Sequence, residues 1–240
     1  MKLRSLFKYE CLTIAKPLGI FYSILYGIVL AGYIVDMIVG NNSVFRFNGV
    51  EFSCVIFLCI CASLGFSEDF RFLLQNGFTR NSIFCGTFML YISLSFFMGA
   101  VDTLIAMLLN QLSGYRSLFH QLYGADHSIF LQWLLLSCFY FTVSAVSYLF
   151  RLLSDKMGHK LFLVLMIGLA VFFFIFVPYF ISTVLSENAQ LKVLDFFGFL
   201  AGFTKSSHIH FFNPILICIG ISCIGFLPAR FLLKKMELKQ

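Results

Sequence analysis

Charge is scarce in this sequence. Only 12% of its 240 residues are Asp, Glu, Lys or Arg, about half the share found in soluble domains. A fold so poor in charge and 60% hydrophobic would leave large apolar areas in water, which excludes an ordinary soluble globule. Proline is rare as well, at four residues, and no Pro-, Gly- or Ser-rich linker, internal repeat or low-complexity stretch divides the chain, so residues 1–240 read as a single unit. The phosphate-cradling pattern G-x-x-x-x-G-K-[ST] is missing, which leaves the chain without ATP-hydrolysing machinery of its own. No A-x-A-like cleavage site follows the first apolar block, so the sequence reads without a signal peptide. The net charge of +6 comes from basic residues scattered singly between apolar blocks, a pattern that argues against nucleic-acid binding. Eight cysteines (Cys11, Cys54, Cys59, Cys61, Cys85, Cys138, Cys218 and Cys223) sit in or beside apolar runs without metal-ligand spacing. They read as small packing residues rather than a disulfide scaffold.

What is abundant is apolar length. The mean hydropathy is +0.93, and 33 phenylalanines add apolar surface at no polar cost. A hydrocarbon layer of about 30 Å needs about 20 apolar residues at about 1.5 Å rise each. Six blocks reach or approach that length: 17–39, 50–66, 82–109, 128–152, 161–184 and 211–233. The expected fold class is therefore an all-α membrane protein with six transmembrane helices. With the N-terminus taken as cytoplasmic, only Arg46, Arg116, Lys192 and Lys205 of the 17 Lys and Arg fall outside. That asymmetry fits an even number of spans with both termini cytoplasmic, in the cell membrane. Pro178 falls within the fifth block, where it can kink or break the helix.

Three segments between or before the blocks have patterns of their own. In residues 2–16, Leu3, Leu6, Phe7, Cys11 and Ile14 recur at three- and four-residue spacing, while Arg4, Lys8 and Lys16 lie mostly elsewhere on the wheel. This predicts an N-terminal amphipathic interfacial helix over 1–16, with Pro17 marking a turn into the first span. Between the fifth and sixth blocks, 185–210 contains the apolar run 196–203, too short to span, which predicts a re-entrant or interfacial hairpin. Between the second and third, Ser67 precedes two acids, Glu68 and Asp69, and the segment ends at Asn76-Gly77. A short surface helix over 68–76 is expected, with Ser67 as its cap and Gly77 as its C′ residue.

The run Phe70-Arg71-Phe72-Leu73-Leu74-Gln75-Asn76-Gly77-Phe78-Thr79-Arg80, followed by an apolar span, resembles the second cytoplasmic segment of Gram-positive permeases of the ABC-2 type. The layout of the whole chain is similar to theirs too. The resemblance implies a permease subunit of an ATP-driven exporter with a coupling helix that docks on a separate ATPase subunit. Glu68, Asp69, Arg71, Phe72, Gln75, Asn76, Gly77 and Arg80 are then the coupling residues. It further implies a second permease copy or paralogue, ATP and Mg bound on the partner rather than on this chain, and hydrophobic or amphipathic peptides as cargo.

Two acids fall in or at the end of spans: Asp102 in the third and Asp36 at the outer end of the first. Each reads either as a polar lining of the substrate path or as a hydrogen-bonded structural acid, because a lone charge at bilayer depth is costly. Tyr33, Tyr115, Tyr123, Trp133 and Tyr179 fall near water boundaries and read as interfacial anchors. His208 and His210 share a face only if extended, and no acid or Cys clusters beside them, so no metal site is assigned. An intramembrane enzyme would need a paired acid or nucleophile–base set, and Asp102 has none within one helical turn. A small channel or structural membrane protein is the other alternative, and it lacks the expected rings of charge.

Overall fold

The computed structural model describes residues 2–39, 47–63, 66–109, 115–124, 128–203 and 209–235, with positions 2 and 66–68 described by backbone only. Among the described residues the fold is all-α apart from one two-residue ladder and one isolated bridge. Helix α1 runs Lys2–Val39 and α2 runs Glu51–Ser63, preceded by strand β1, Phe47–Asn48. Then come α3, Phe66–Gln75, and α4, Arg80–Leu109. Strand β2, Tyr115–Arg116, leads into α5, Leu118–Tyr123, and α6, Ile129–Met157. The chain continues through α7, His159–Val171, a π-helical turn Phe172–Phe176, and α8, Val177–Val184. It ends with α9, Glu187–Leu200, and α10, Phe212–Lys235.

Among the described residues, five helical stretches are long and apolar enough to cross a membrane: α1, α4, α6, the continuous 159–184 stretch and α10. The protein is a membrane protein on this ground. Their bounds sit within a few residues of the apolar blocks, except that α1 begins at Lys2, well before 17, and α6 extends five residues beyond 152. The second block differs. It forms α2, whose 13 residues reach about 20 Å, short of the hydrocarbon thickness. Glu51, Cys54, Leu58 and Ala62 on α2 are buried at three- and four-residue spacing, so one stripe of this short helix packs into the bundle, against α6.

The N-terminal expectation is corrected. Residues 2–16 form no separate interfacial helix, because α1 continues through Pro17 without a break. Proline removes one backbone donor, a loss that apolar helices tolerate when packing holds both sides. Here Leu6 at 1% exposure and Leu18 at 8% are both packed into the core, one on each side of the proline. At Pro178 the ladder does change. The peptide N–H of Val177 donates to Phe172 O in the π-helical turn just before the proline.

Helix α6 is central, packing against α10, α4 and α2, while α1 packs on α4. Close approach depends on small residues. A Cβ on Gly99 of α4 would lie within van der Waals contact of the Ser137 backbone on α6, and one on Gly225 of α10 would press on Ala145 of α6. At one end of the bundle, Leu6, Phe70, Ile83, Leu152 and Leu233 form a core cluster. Leu18, Leu58, Met98 and Tyr140 fill the middle, and Val29, Ala106 and Tyr115 the far end. There β1 pairs in parallel with β2, Phe47 opposite Tyr115, tying the segments that follow α1 and precede α5.

Helix α7 leaves α6 through Gly158 alone, at φ +88°. No residue of α7, the π-helical turn or α8 is buried, so this stretch presents apolar side chains on all sides. The segment expected as a re-entrant hairpin contains α9, with Glu187 in its first turn, and then closes by an antiparallel bridge between Phe203 and Ile209. It is pinned to the far end by Tyr123 Oη donating to Ala201 O at 3.0 Å and by Asn213 Nδ2 donating to Phe199 O at 3.0 Å. Burial raises the Tyr123 phenol above its ordinary value, so it remains a donor. Tyr115 and Tyr123 are thus packed residues, 4% and 9% exposed, and not the boundary anchors expected from the sequence. Tyr179 remains exposed, and Trp133 Nε1 donates to Phe96 O at 3.2 Å.

Candidate functional site

Helix α3 lies at the end of the bundle where α1 begins. It starts at Phe66, two residues before the expected position, so Ser67 lies inside its first turn and does not cap it. Its C-terminus follows the expected turn. Gly77 at φ +75° lets its N–H donate to Leu74 O at 3.0 Å, and Phe78 N–H donates to Leu73 O at 3.1 Å. This crossed pair of bonds with a left-handed glycine is a Schellman stop. Phe78 packs into the same cluster as Leu73, which supplies the apolar contact that accompanies it.

The helix divides its faces sharply. Phe70 and Leu73 are buried at 4% and 3% exposure, in one cluster with Leu6 of α1, Ile83 of α4, Leu152 of α6 and Leu233 of α10. Arg71, Phe72, Gln75 and Asn76 are exposed, Phe72 at 49%. The Asn76 side chain donates to Phe72 O at 2.8 Å, fixing the last turn. Of the sequence-predicted coupling residues, Arg71, Phe72, Gln75, Asn76 and Gly77 therefore form one outward patch. Asp69 points elsewhere: it is half-buried, and Tyr9 Oη of α1 donates to its Oδ1 at 3.3 Å. Arg80 reaches across to the carbonyl of Lys234, bracing α4 against the end of α10. The side chain of Glu68 lies outside the described residues.

Asp102 is 2% exposed in the middle of the bundle. Tyr26 Oη of α1 donates to its Oδ1 at 2.8 Å, and Tyr140 Oη of α6 donates to its Oδ2 at 2.5 Å. One carboxyl thus joins three helices. Tyr22 lies beside it, its ring stacked on Tyr26 at 5.7 Å and its hydroxyl 4.0 Å from Cys54 Sγ. Both hydroxyl donors come from other helices, out of reach of any pattern within one helical turn of Asp102.

Comparison with protein-family models, curated proteins and solved structures finds no match. The chain's geometry alone therefore carries the functional reading. Asp36, at 4% exposure, lies buried near the C-terminal end of α1, about nine turns from the helix start that packs near α3. Glu51, unremarked in the sequence, is 3% exposed and accepts from the Leu118 peptide N–H at 3.1 Å, fastening α2 to α5 at the far end. His208 lies outside the described residues, and the His210 peptide N–H donates to Gly202 O at 2.9 Å. Among the described residues, no group of three His, Cys, Asp or Glu gathers as metal ligands.

Proposed function

We propose that this chain is the membrane-spanning permease subunit of an ATP-driven exporter of the ABC-2 type, coupled to a separate ATPase through α3. The observation that carries the reading is the two-faced α3. An amphipathic, firmly terminated helix sits at the bundle end with Arg71, Phe72, Gln75 and Asn76 outward. Its inner face shares a core cluster with four other helices. A load applied to the outer face is transmitted to α1, α4, α6 and α10 through Phe70 and Leu73. That is the mechanical requirement for a subunit that borrows energy from ATP hydrolysis elsewhere.

In this reading the α3 end is cytoplasmic, in agreement with the excess of Lys and Arg there, and α2 with the start of α3 makes the second of six crossings of the cell membrane. ATP and Mg are held by the partner ATPase, and a second permease, copy or paralogue, completes the path. Cargo is of the hydrophobic or amphipathic peptide class. Asp102 then clasps α1, α4 and α6 together rather than lining the route. Each of its carboxyl oxygens accepts from a tyrosine hydroxyl of another helix, which supports that structural role.

The test is copurification. Tagged chain extracted from its native membrane is expected to bring an ABC-type ATPase with it in near-equal amount. Arg71→Glu and Gln75→Arg are expected to reduce that recovery at least tenfold with an unchanged thermal midpoint. Undiminished recovery with both variants, or no ATPase with the native chain, refutes the assignment.

A further inference from the structure

A cavity of about 330 Å³ opens between the first half of α1 and the facing parts of α2, α3 and α4. That volume is within the range of small-molecule pockets. Apolar surface dominates its walls, with Phe57, Ile60, Phe70 and Tyr91 among them. Two acids, Glu10 and Asp69, also line it, and among the described residues no Lys, Arg or His does. Glu10 is the only acid among the basic residues of 2–16. Thr87 Oγ1 of α4 donates to Glu10 Oε1 at 3.2 Å. The other oxygen, Oε2, is buried and takes no hydrogen bond among the described residues. Asp69 stands on the α3 side with its Tyr9 contact.

A buried carboxylate oxygen with spare acceptor capacity is costly unless a donor, a cation or a proton meets it. Aromatic faces attract cations as well, most strongly where water is excluded. A neutral apolar guest would satisfy the walls and leave Glu10 Oε2 unmet. An anion would be repelled. We infer that the cavity binds a lipophilic cation, an ammonium or phosphonium centre on an apolar body, with its charge between Glu10 and Asp69 and its body against Phe57, Phe70 and Tyr91. The chemistry is the same whether the cation is a free amphiphile or the amine headgroup of a membrane lipid. Because Asp69 and Phe70 belong to α3, the occupant bears directly on that helix. The inference does not depend on the ATPase reading, since it concerns binding by this chain alone.

Equilibrium binding of radiolabelled tetraphenylphosphonium to the full chain in phosphatidylcholine nanodiscs tests it. The native chain is expected to saturate near one per chain, with Glu10→Gln and Asp69→Asn each weakening binding at least tenfold. The neutral isostere triphenylphosphine oxide should compete poorly. Size-exclusion profiles show whether each variant is folded, and two variants on different helices keep the test decisive if one fails. Displacement of the probe by phosphatidylethanolamine in the disc would identify a lipid headgroup as the resident cation. Retained probe in such discs would identify a free one. Absent saturable binding, or equal binding by both folded variants or by the neutral isostere, overturns the proposal.

Discussion

Asp102 is one carboxyl serving two tyrosine hydroxyls from two other helices, and its replacement separates a structural role from a merely apolar one. Asp102→Ala strands the half-buried Tyr26 and buried Tyr140 hydroxyls, each worth about 1 kcal/mol in apolar surroundings. Thermal unfolding in detergent is expected to show a clearly lower midpoint for Asp102→Ala. Asp102→Asn keeps an acceptor and should lose less. In a double-mutant cycle, Tyr140→Phe should cost little once Asp102→Ala is present. Additive losses would show that the pair does not interact. This clasp was only half legible from the sequence. The acid at bilayer depth stood out, but Tyr26 and Tyr140 carry no local signal, because they are 76 and 38 residues away. Glu10 was overlooked for a related reason: a single acid in a basic segment averages away, although its isolation among Lys and Arg was a usable sign.

At the scale of elements, hydrophobic length located the helices well, since a run of apolar residues in lipid has no alternative to a helix that satisfies its own backbone. It failed where packing decides. Pro17 does not end α1 because buried contacts hold the helix on both sides of it, and Ser67 does not cap α3 because the helix starts earlier. Gly77, by contrast, was read correctly, since a left-handed turn after Asn76 is a local requirement. Gly77→Ala is expected to destabilise the end of α3 by about 1 kcal/mol, measured as faster amide exchange at Gln75 and Asn76 than in the native chain. Unchanged exchange would mean that the Schellman turn does not hold the helix. Gly99 serves packing instead. A Cβ there would lie 2.3 Å from Ser137 Oγ, so Gly99→Ala should lower the thermal midpoint, by about 1–3 kcal/mol of stability, and Ser137→Ala should partly restore it.

The whole molecule is a bundle centred on α6, with one long helical stretch, 159–184, that buries none of its residues. In lipid that surface is satisfied as it stands, which is why composition predicted the membrane setting so directly. The end bearing α3 is also the end rich in Lys and Arg, and the proposed function requires that end to face the inside of the cell. The most direct check is sidedness. Gln75→Cys places an exposed thiol on α3, beside eight native cysteines that serve as the blank. A membrane-impermeant maleimide is expected to label it above that blank in inside-out vesicles and not in right-side-out ones. Labelling from the exterior would contradict the account, because no cytoplasmic ATPase could then reach α3.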